Sequence, residues 1–144
     1  MFSVTTEPID ILVWRRRLDH PAVGAVVMFE GLVRNHHQGR AVRHLEYEGF
    51  VPLAVKTGAA ILAEARQRWP ITMALGCHRT GRLEIGEAAV WLGVAAAHRG
   101  EAFTACGWLM DAIKQRVPIW KREFFADGTV EWSVGNVMSG APHG

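Results

Sequence analysis

Short apolar segments joined by glycine-containing turns recur along this chain and restrict what it can fold into. The clearest turn is Asp127-Gly128, a dipeptide typical of two-residue hairpins, which separates strand-like segments at 119–126 and 130–134. Hairpins join antiparallel strands, whereas parallel strands need long crossovers. Helical segments lie between the strands, so the sequence predicts the α+β class with a mixed or antiparallel sheet.

Three segments have helical periodicity. The first is expected to begin at Thr6 as its N-cap, and the second covers 52–68. The third covers 100–117, with Phe103 in its buried stripe, and Pro118 ends it because the residue before a proline disfavours helix. The other predicted elements are strands at 2–5, 23–33, 42–50, 71–79 and 87–97, a polar loop at 34–40 and a hairpin connection at 80–86.

The chain has 144 residues and no repeat or linker divides it, which predicts a single domain over 1–144. The glycine- and proline-bearing tail from about residue 136 is expected to be mobile. Cys77 and Cys106 form no CxxC pair, so neither a zinc site nor a disulfide is indicated. No signal-peptide pattern and no apolar run of membrane-spanning length is visible, which favours a cytoplasmic protein without a membrane partner.

The basic residues are unevenly chosen. Thirteen are arginine and three are lysine, Lys56, Lys114 and Lys121. Lysine can lose its proton in a protein whereas arginine cannot, so a retained lysine can indicate a need for an amine, although chance accounts for any single one. The net charge of +2 excludes a polybasic nucleic-acid tail and leans weakly towards an anionic partner.

Two of the lysines flank the predicted turn at Pro118, within DAIKQRVPIWKRE at 111–123. The turn could fold the amines of Lys114 and Lys121 towards one cleft, where crowding or desolvation would ease deprotonation. Each also has a simpler interpretation, which spacing alone favours. Lys114 suits a helix C-terminus, and Lys121 could form a surface pair with Glu123.

Two further basic clusters suit an anion. Arg34 follows a predicted strand and opens a glycine-containing loop, although the loop could simply be solvated. His98 and Arg99 precede the third helix, where cations oppose the helix dipole unless an anionic ligand binds them and the free N–H groups together. Alternatively, His98 caps the helix and Arg99 pairs with Glu101.

Other patterns are weaker. Three histidines, His36, His37 and His44, invite a metal hypothesis, but no helical HxxxH or cysteine partner supports it. The run at 120–124 interleaves aromatic and basic residues, as single-stranded nucleic-acid platforms do. Residues 78–82, with one histidine and two arginines, are expected at an exposed hairpin tip.

Four segments together resemble the MoaE family, the large catalytic subunits of molybdopterin synthase. They are GAVVMFEGLVRNHHQG, HLEYEGFVPLAVK, AAAHRGEAF and DAIKQRVPIWKRE, in the family's order and spacing. The resemblance implies an α/β hammerhead with an additional antiparallel β subdomain. It implies a sulfurtransferase that converts cyclic pyranopterin monophosphate to molybdopterin by forming a dithiolene, in molybdenum cofactor biosynthesis.

The resemblance also implies partners and roles. Sulfur would come from the thiocarboxylated C-terminal glycine of a small ubiquitin-like subunit, bound at each end of a central homodimer to form a heterotetramer. Lys114 would lie next to that thiocarboxylate, and Lys121 would transfer a proton or hold an oxyanion. Arg34, His98 and Arg99 would bind the substrate phosphate, with no cofactor and no metal. The alternatives are a single-stranded nucleic-acid-binding module and a non-catalytic scaffold that docks a ubiquitin-like protein.

Overall fold

The computed structural model describes residues 1–133 of the chain. Three helices are separated by runs of strands that pair mostly antiparallel, which confirms the α+β class. The tail predicted from residue 136 lies outside the described residues. The elements are β1 (Phe2–Thr5), α1 (Ile11–Arg16), β2 (Ala25–Leu32), β3 (His36–His37), β4 (Arg40–Gly49), α2 (Val51–Arg68), β5 (Ile71–Arg79), β6 (Gly81–Glu84), β7 (Ala88–Ala96), α3 (Arg99–Arg116), β8 (Ile119–Phe125) and β9 (Val130–Ser133).

Four strands form a mixed sheet in the order β1-β5-β7-β2, in which only the β1–β5 pair is parallel. Side chains of β7 point alternately to the two faces of the sheet, and both faces are buried. Leu92 and Val94 join the core beneath α2 and α3, whereas Trp91 and Ala95 join the core beneath α1. The sheet is therefore covered by helices on both sides.

A second, antiparallel sheet is built around β4. It has the order β3-β4-β8-β9, and β6 also pairs with β4. Its own small core contains the buried side chains of Leu45, Leu83 and Phe125. This sheet is the additional antiparallel β subdomain that the family resemblance implied.

Two predicted connections contain strands. The segment predicted as a loop at 34–40 forms a hairpin, because Gln38 (φ 52°) and Gly39 (φ 77°) turn the chain so that β3 pairs with the start of β4. The predicted hairpin connection at 80–86 holds β6. Gly81 (φ 92°) redirects the chain after β5, and β6 pairs with β4 instead of β5 because Leu83 is fully buried in the second sheet's core.

Two helical predictions are wrong. Asp10, not Thr6, caps α1, since its carboxylate accepts a hydrogen bond from the Val13 amide at 3.2 Å. In α3, Phe103 is 64% exposed instead of buried. The buried face of α3 is formed by small and aliphatic residues such as Ala102. The helix therefore has a buried face, as predicted, but Phe103 does not lie on it.

Gly58 of α2 lies where the helix packs closely on the sheet, and its substitution tests that packing. A Cβ built at Gly58 would overlap the buried ring of Phe2 in β1. We expect Gly58→Ala to lower the free energy of unfolding by about 1–3 kcal/mol through overpacking, measured by urea denaturation. Gly107→Ala in α3 is the matched control, because a Cβ there meets nothing within 4 Å and alanine should stabilise by up to about 1 kcal/mol. Equal or greater stability of Gly58→Ala would contradict this packing.

Candidate functional site

A cavity of about 350 Å³ lies where the two sheets and the C-terminal end of α3 meet. Its walls come from β2, β3, β4, β5, β7, α3 and β8, and from the chain that joins them. Such a volume suits a small molecule or an extended peptide end. Three of the family's four segments thus contribute lining residues to one cavity, and AAAHRGEAF does not.

Three cationic side chains line this cavity: Arg34, Lys114 and Lys121. Arg34 follows the end of β2, and Lys114 lies in the last turn of α3. The chain turns at Pro118, and the alternation of β8 directs Lys121 to the same side as Ile119. The two lysines therefore line one cavity, as the turn at Pro118 allowed. Spacing alone had favoured a simpler structural interpretation of each lysine.

The pKa of Lys121 is lowered by its surroundings. Burial lowers its pKa, and the neighbouring charges of Lys114 and Arg34 lower it further, while the Glu123 carboxylate acts in the opposite direction. The net effect makes the amine easier to deprotonate than an ordinary lysine. A lysine of this kind can act as a base or nucleophile, or as a weakly hydrated cation beside an oxyanion.

Glu123 is buried, at 6% exposure, and faces the same cavity. Its Oε2 lies 4.0 Å from Nδ1 of His37, a second cavity residue. Among the ion pairs of residues 1–133, none joins Glu123 to Lys121. The interpretation of Lys121 as half of a surface ion pair is therefore wrong, since both side chains are turned inwards.

His98 and Arg99 do not line this cavity. They are exposed at the start of α3, sixteen and fifteen residues before Lys114, which places them about 22 to 24 Å away along the helix axis. The side chain of His98 makes no capping hydrogen bond, and no ion pair joins Arg99 to Glu101 in the described part of the chain. One chain thus brings together three of the five predicted site residues and leaves two apart.

Two cavity residues escaped the sequence prediction. His78 was expected at an exposed hairpin tip, but it is only 9% exposed and lines the cavity beside Tyr47. The nearby Arg79 forms an ion pair with Glu87 at 3.2 Å, and Arg82 forms one with Glu84 at 2.6 Å. Tyr47 faces the cavity because it lies opposite Lys121 in the β4–β8 pairing, a register that one sequence does not reveal.

The interleaved run at 120–124 is divided between the two faces of β8. Alternation places Lys121 at the cavity, whereas Arg122 and Phe124 lie on the opposite face of β8. There the Arg122 guanidinium bonds Glu46 at 2.9 Å, and the His44 ring stacks on Phe124 at 4.2 Å. One face of the Phe124 ring is therefore covered by the protein itself.

Two further observations concern residues 1–133. No group of three or more histidine, cysteine, aspartate or glutamate side chains there is arranged to hold a metal ion. No helix in this range combines the length and apolar character that a bilayer crossing requires.

The fold and the cavity together define the class of this protein, an α+β protein with a cation-lined cavity between two sheets. The family model described as MoaE protein matches residues 4–116. The chain is 38% identical over 136 residues to the molybdopterin synthase catalytic subunit of a Nostoc species, covering 93% of this chain and 82% of the relative. The chain therefore belongs to the MoaE family, as its resemblance predicted.

Solved structures share this fold. Molybdopterin synthase from Staphylococcus aureus superposes with a TM-score of 0.86 at 37% identity, covering 90% of this chain and 94% of that one. A Helicobacter pylori structure, described as a protein-protein complex of subunits 1 and 2 of molybdopterin-converting factor, gives a TM-score of 0.74 at 15% identity over 98% and 97% of the two chains. At that identity the second likeness speaks for the fold alone.

Proposed function

We propose that this chain is the catalytic subunit of a molybdopterin synthase. It converts cyclic pyranopterin monophosphate to molybdopterin with sulfur from the thiocarboxylated C-terminus of a small ubiquitin-like subunit. The observation that carries this proposal is the convergence of Arg34, Lys114 and Lys121 on one cavity in a member of the MoaE family. An anionic substrate and an anionic thiocarboxylate both match that charge.

The apolar side chains at the cavity support a peptide end as one of its occupants. Phe29 and Leu32 line it while remaining 36% and 54% exposed, so they offer apolar contacts beside the cations. A chain end that carries a terminal negative charge has the matching pattern. Lys114, at the end of α3, is the amine we assign to the thiocarboxylate, and Lys121 is the group we assign to proton transfer or oxyanion binding.

The separation of His98 and Arg99 from the lysines supports a site shared between two copies of the chain. About 22 to 24 Å along the axis of α3 separates these cations from Lys114 within one chain. In a twofold dimer the start of one α3 can approach the cavity of the other copy. We assign His98 and Arg99, with Arg34 of the opposite copy, to the substrate phosphate.

Reconstitution tests the proposal directly. The purified chain, a thiocarboxylated small subunit and cyclic pyranopterin monophosphate should yield molybdopterin, detected as its fluorescent oxidation product. Omitting the thiocarboxylate should leave no product. A scaffold that only docks the small subunit would bind it and give no product, and that result would overturn the enzymatic assignment.

The lowered pKa of Lys121 makes a prediction about pH. Lys121 should lose its proton below the pH at which an ordinary lysine titrates. A plot of the single-turnover rate against pH should therefore have a rising or falling limb in that range. A rate that rises through this limb identifies Lys121 as a base, and a rate that falls identifies it as a cation. Glu123→Gln removes the charge that raises the pKa, so the limb should move to lower pH.

The control for this experiment is Glu84→Gln, an exposed carboxylate whose partner Arg82 lies outside the cavity. It removes one negative charge but should leave the limb in place. An unmoved limb in Glu123→Gln would show that Lys121 does not set the pH dependence.

A further inference from the structure

Tyr47 and His78 are polar side chains in the cavity wall that the sulfur chemistry does not use. Tyr47 lies on β4 and His78 on β5, and their rings meet edge to face with centroids 5.1 Å apart. Ala89 and Val90 of the same wall are apolar. The cavity thus has an uncharged part as well as its three cations.

The hydrogen bonding of His78 leaves one ring nitrogen available. Its Nδ1 lies 2.8 Å from the carbonyl oxygen of Arg79, which can only accept, so Nδ1 carries the proton and donates. Nε2 is then an acceptor. Within residues 1–133, no protein group forms a hydrogen bond with Nε2 or with the Tyr47 hydroxyl. Neither atom is among the fully buried side-chain atoms that lack a partner, so both stay accessible from the cavity that their side chains line. A ligand in the cavity could therefore form a hydrogen bond with each.

Both groups stay uncharged at neutral pH. Burial lowers the pKa of His78 to about 4, and burial with the nearby Glu123 carboxylate raises the pKa of Tyr47 to about 12. The pair therefore presents a hydroxyl donor beside an imidazole acceptor. A cyclic amide, with its ring N–H next to a carbonyl, has the complementary edge.

We propose that Tyr47 and His78 form a subsite that recognises the uncharged heterocyclic ring of the substrate through such an amide-like edge. The ring N–H donates to Nε2 of His78, and the ring carbonyl accepts from the Tyr47 hydroxyl. The cations hold the anionic part of the same molecule. This inference rests on the proposed function, because it assigns the ring end of the proposed substrate.

Binding measurements on the whole chain test the subsite. Under anaerobic conditions, calorimetry compares cyclic pyranopterin monophosphate with inorganic phosphate, which has no ring. Tyr47→Phe removes only the hydroxyl and should weaken binding of the pterin about tenfold, the usual effect of one lost hydrogen bond. Its affinity for phosphate should not change. Arg34→Ala should weaken both.

His78 offers a matched pair of variants. The amide of asparagine can replace Nδ1 and keep the bond to the Arg79 carbonyl, whereas the longer glutamine places an oxygen near the position of Nε2. We expect His78→Asn to lose about tenfold in pterin affinity and His78→Gln to lose less. Thermal denaturation reports whether each variant is folded, and Tyr47→Phe decides the matter if either is not.

The outcomes separate this inference from the proposed function. Wild-type affinity of both Tyr47→Phe and a folded His78→Asn for the pterin would overturn the subsite. A wild-type chain that binds no pterin in its complex with the small subunit would instead overturn the proposed function. Equal weakening for pterin and phosphate would also count against the subsite, because it would mean a general distortion of the cavity.

Discussion

Lys114→Ala is expected to lower the rate of molybdopterin formation at least about a hundredfold, the scale found when one stabilising group is removed from a charged transition state. The amine lies in the last turn of α3 and faces a cavity shared with Arg34 and Lys121. Its removal leaves the thiocarboxylate without the cation assigned to it. Single-turnover measurement with a thiocarboxylated small subunit checks this, because product release then has no influence.

Two comparisons make the result specific. Lys56→Ala removes an exposed lysine from α2, outside the cavity, and should leave the rate unchanged. Lys114→Arg keeps the positive charge but not an amine that can lose its proton. Recovery in Lys114→Arg would assign a purely electrostatic role, and continued loss would assign an amine. A small subunit that binds Lys114→Ala normally, together with full activity, would remove Lys114 from the mechanism.

Local patterns in the sequence predicted that the two lysines could approach each other, but not that they line a cavity. Pro118 must end a helix, and period-two alternation must then place Lys121 with Ile119 and Glu123 on one side of β8. Both inferences are local, and both are confirmed. That the shared side is a cavity depends on α3 packing against the first sheet, which no local pattern reveals.

The missed residues illustrate the same limit. Tyr47 reaches the cavity because of its cross-strand register with Lys121, and His78 because β6 leaves β5 to pair with β4. Register and strand order are tertiary properties, fixed by which apolar residues are buried together. The segment at 80–86 joins the antiparallel strands β5 and β7, as its glycines predicted. That it also holds β6, which pairs with β4 and buries Leu83, is not visible in a local pattern.

The two cations at the start of α3 lead to the second large prediction. Arg99→Ala and Lys114→Ala should each be strongly impaired as homodimers, because each removes a cation assigned to the site. A heterodimer with one copy of each variant should recover about half of the wild-type activity per dimer. In a twofold dimer one of its two shared sites carries both substitutions and the other carries neither. Two different affinity tags allow this heterodimer to be isolated from cells that express both chains.

The matched control is a heterodimer of Lys114→Ala with Lys121→Ala. These lysines line the same cavity of a single chain, so each copy has a damaged lysine pair and neither site is intact. It should remain inactive. An inactive Arg99→Ala/Lys114→Ala heterodimer would place Arg99 in the same site as the Lys114 of its own chain, against the 22 Å or so of helix between them. If the Arg99→Ala/Lys114→Ala heterodimer recovers activity and the control does not, both lysines act in the cavity of one copy and Arg99 acts in the cavity of the other.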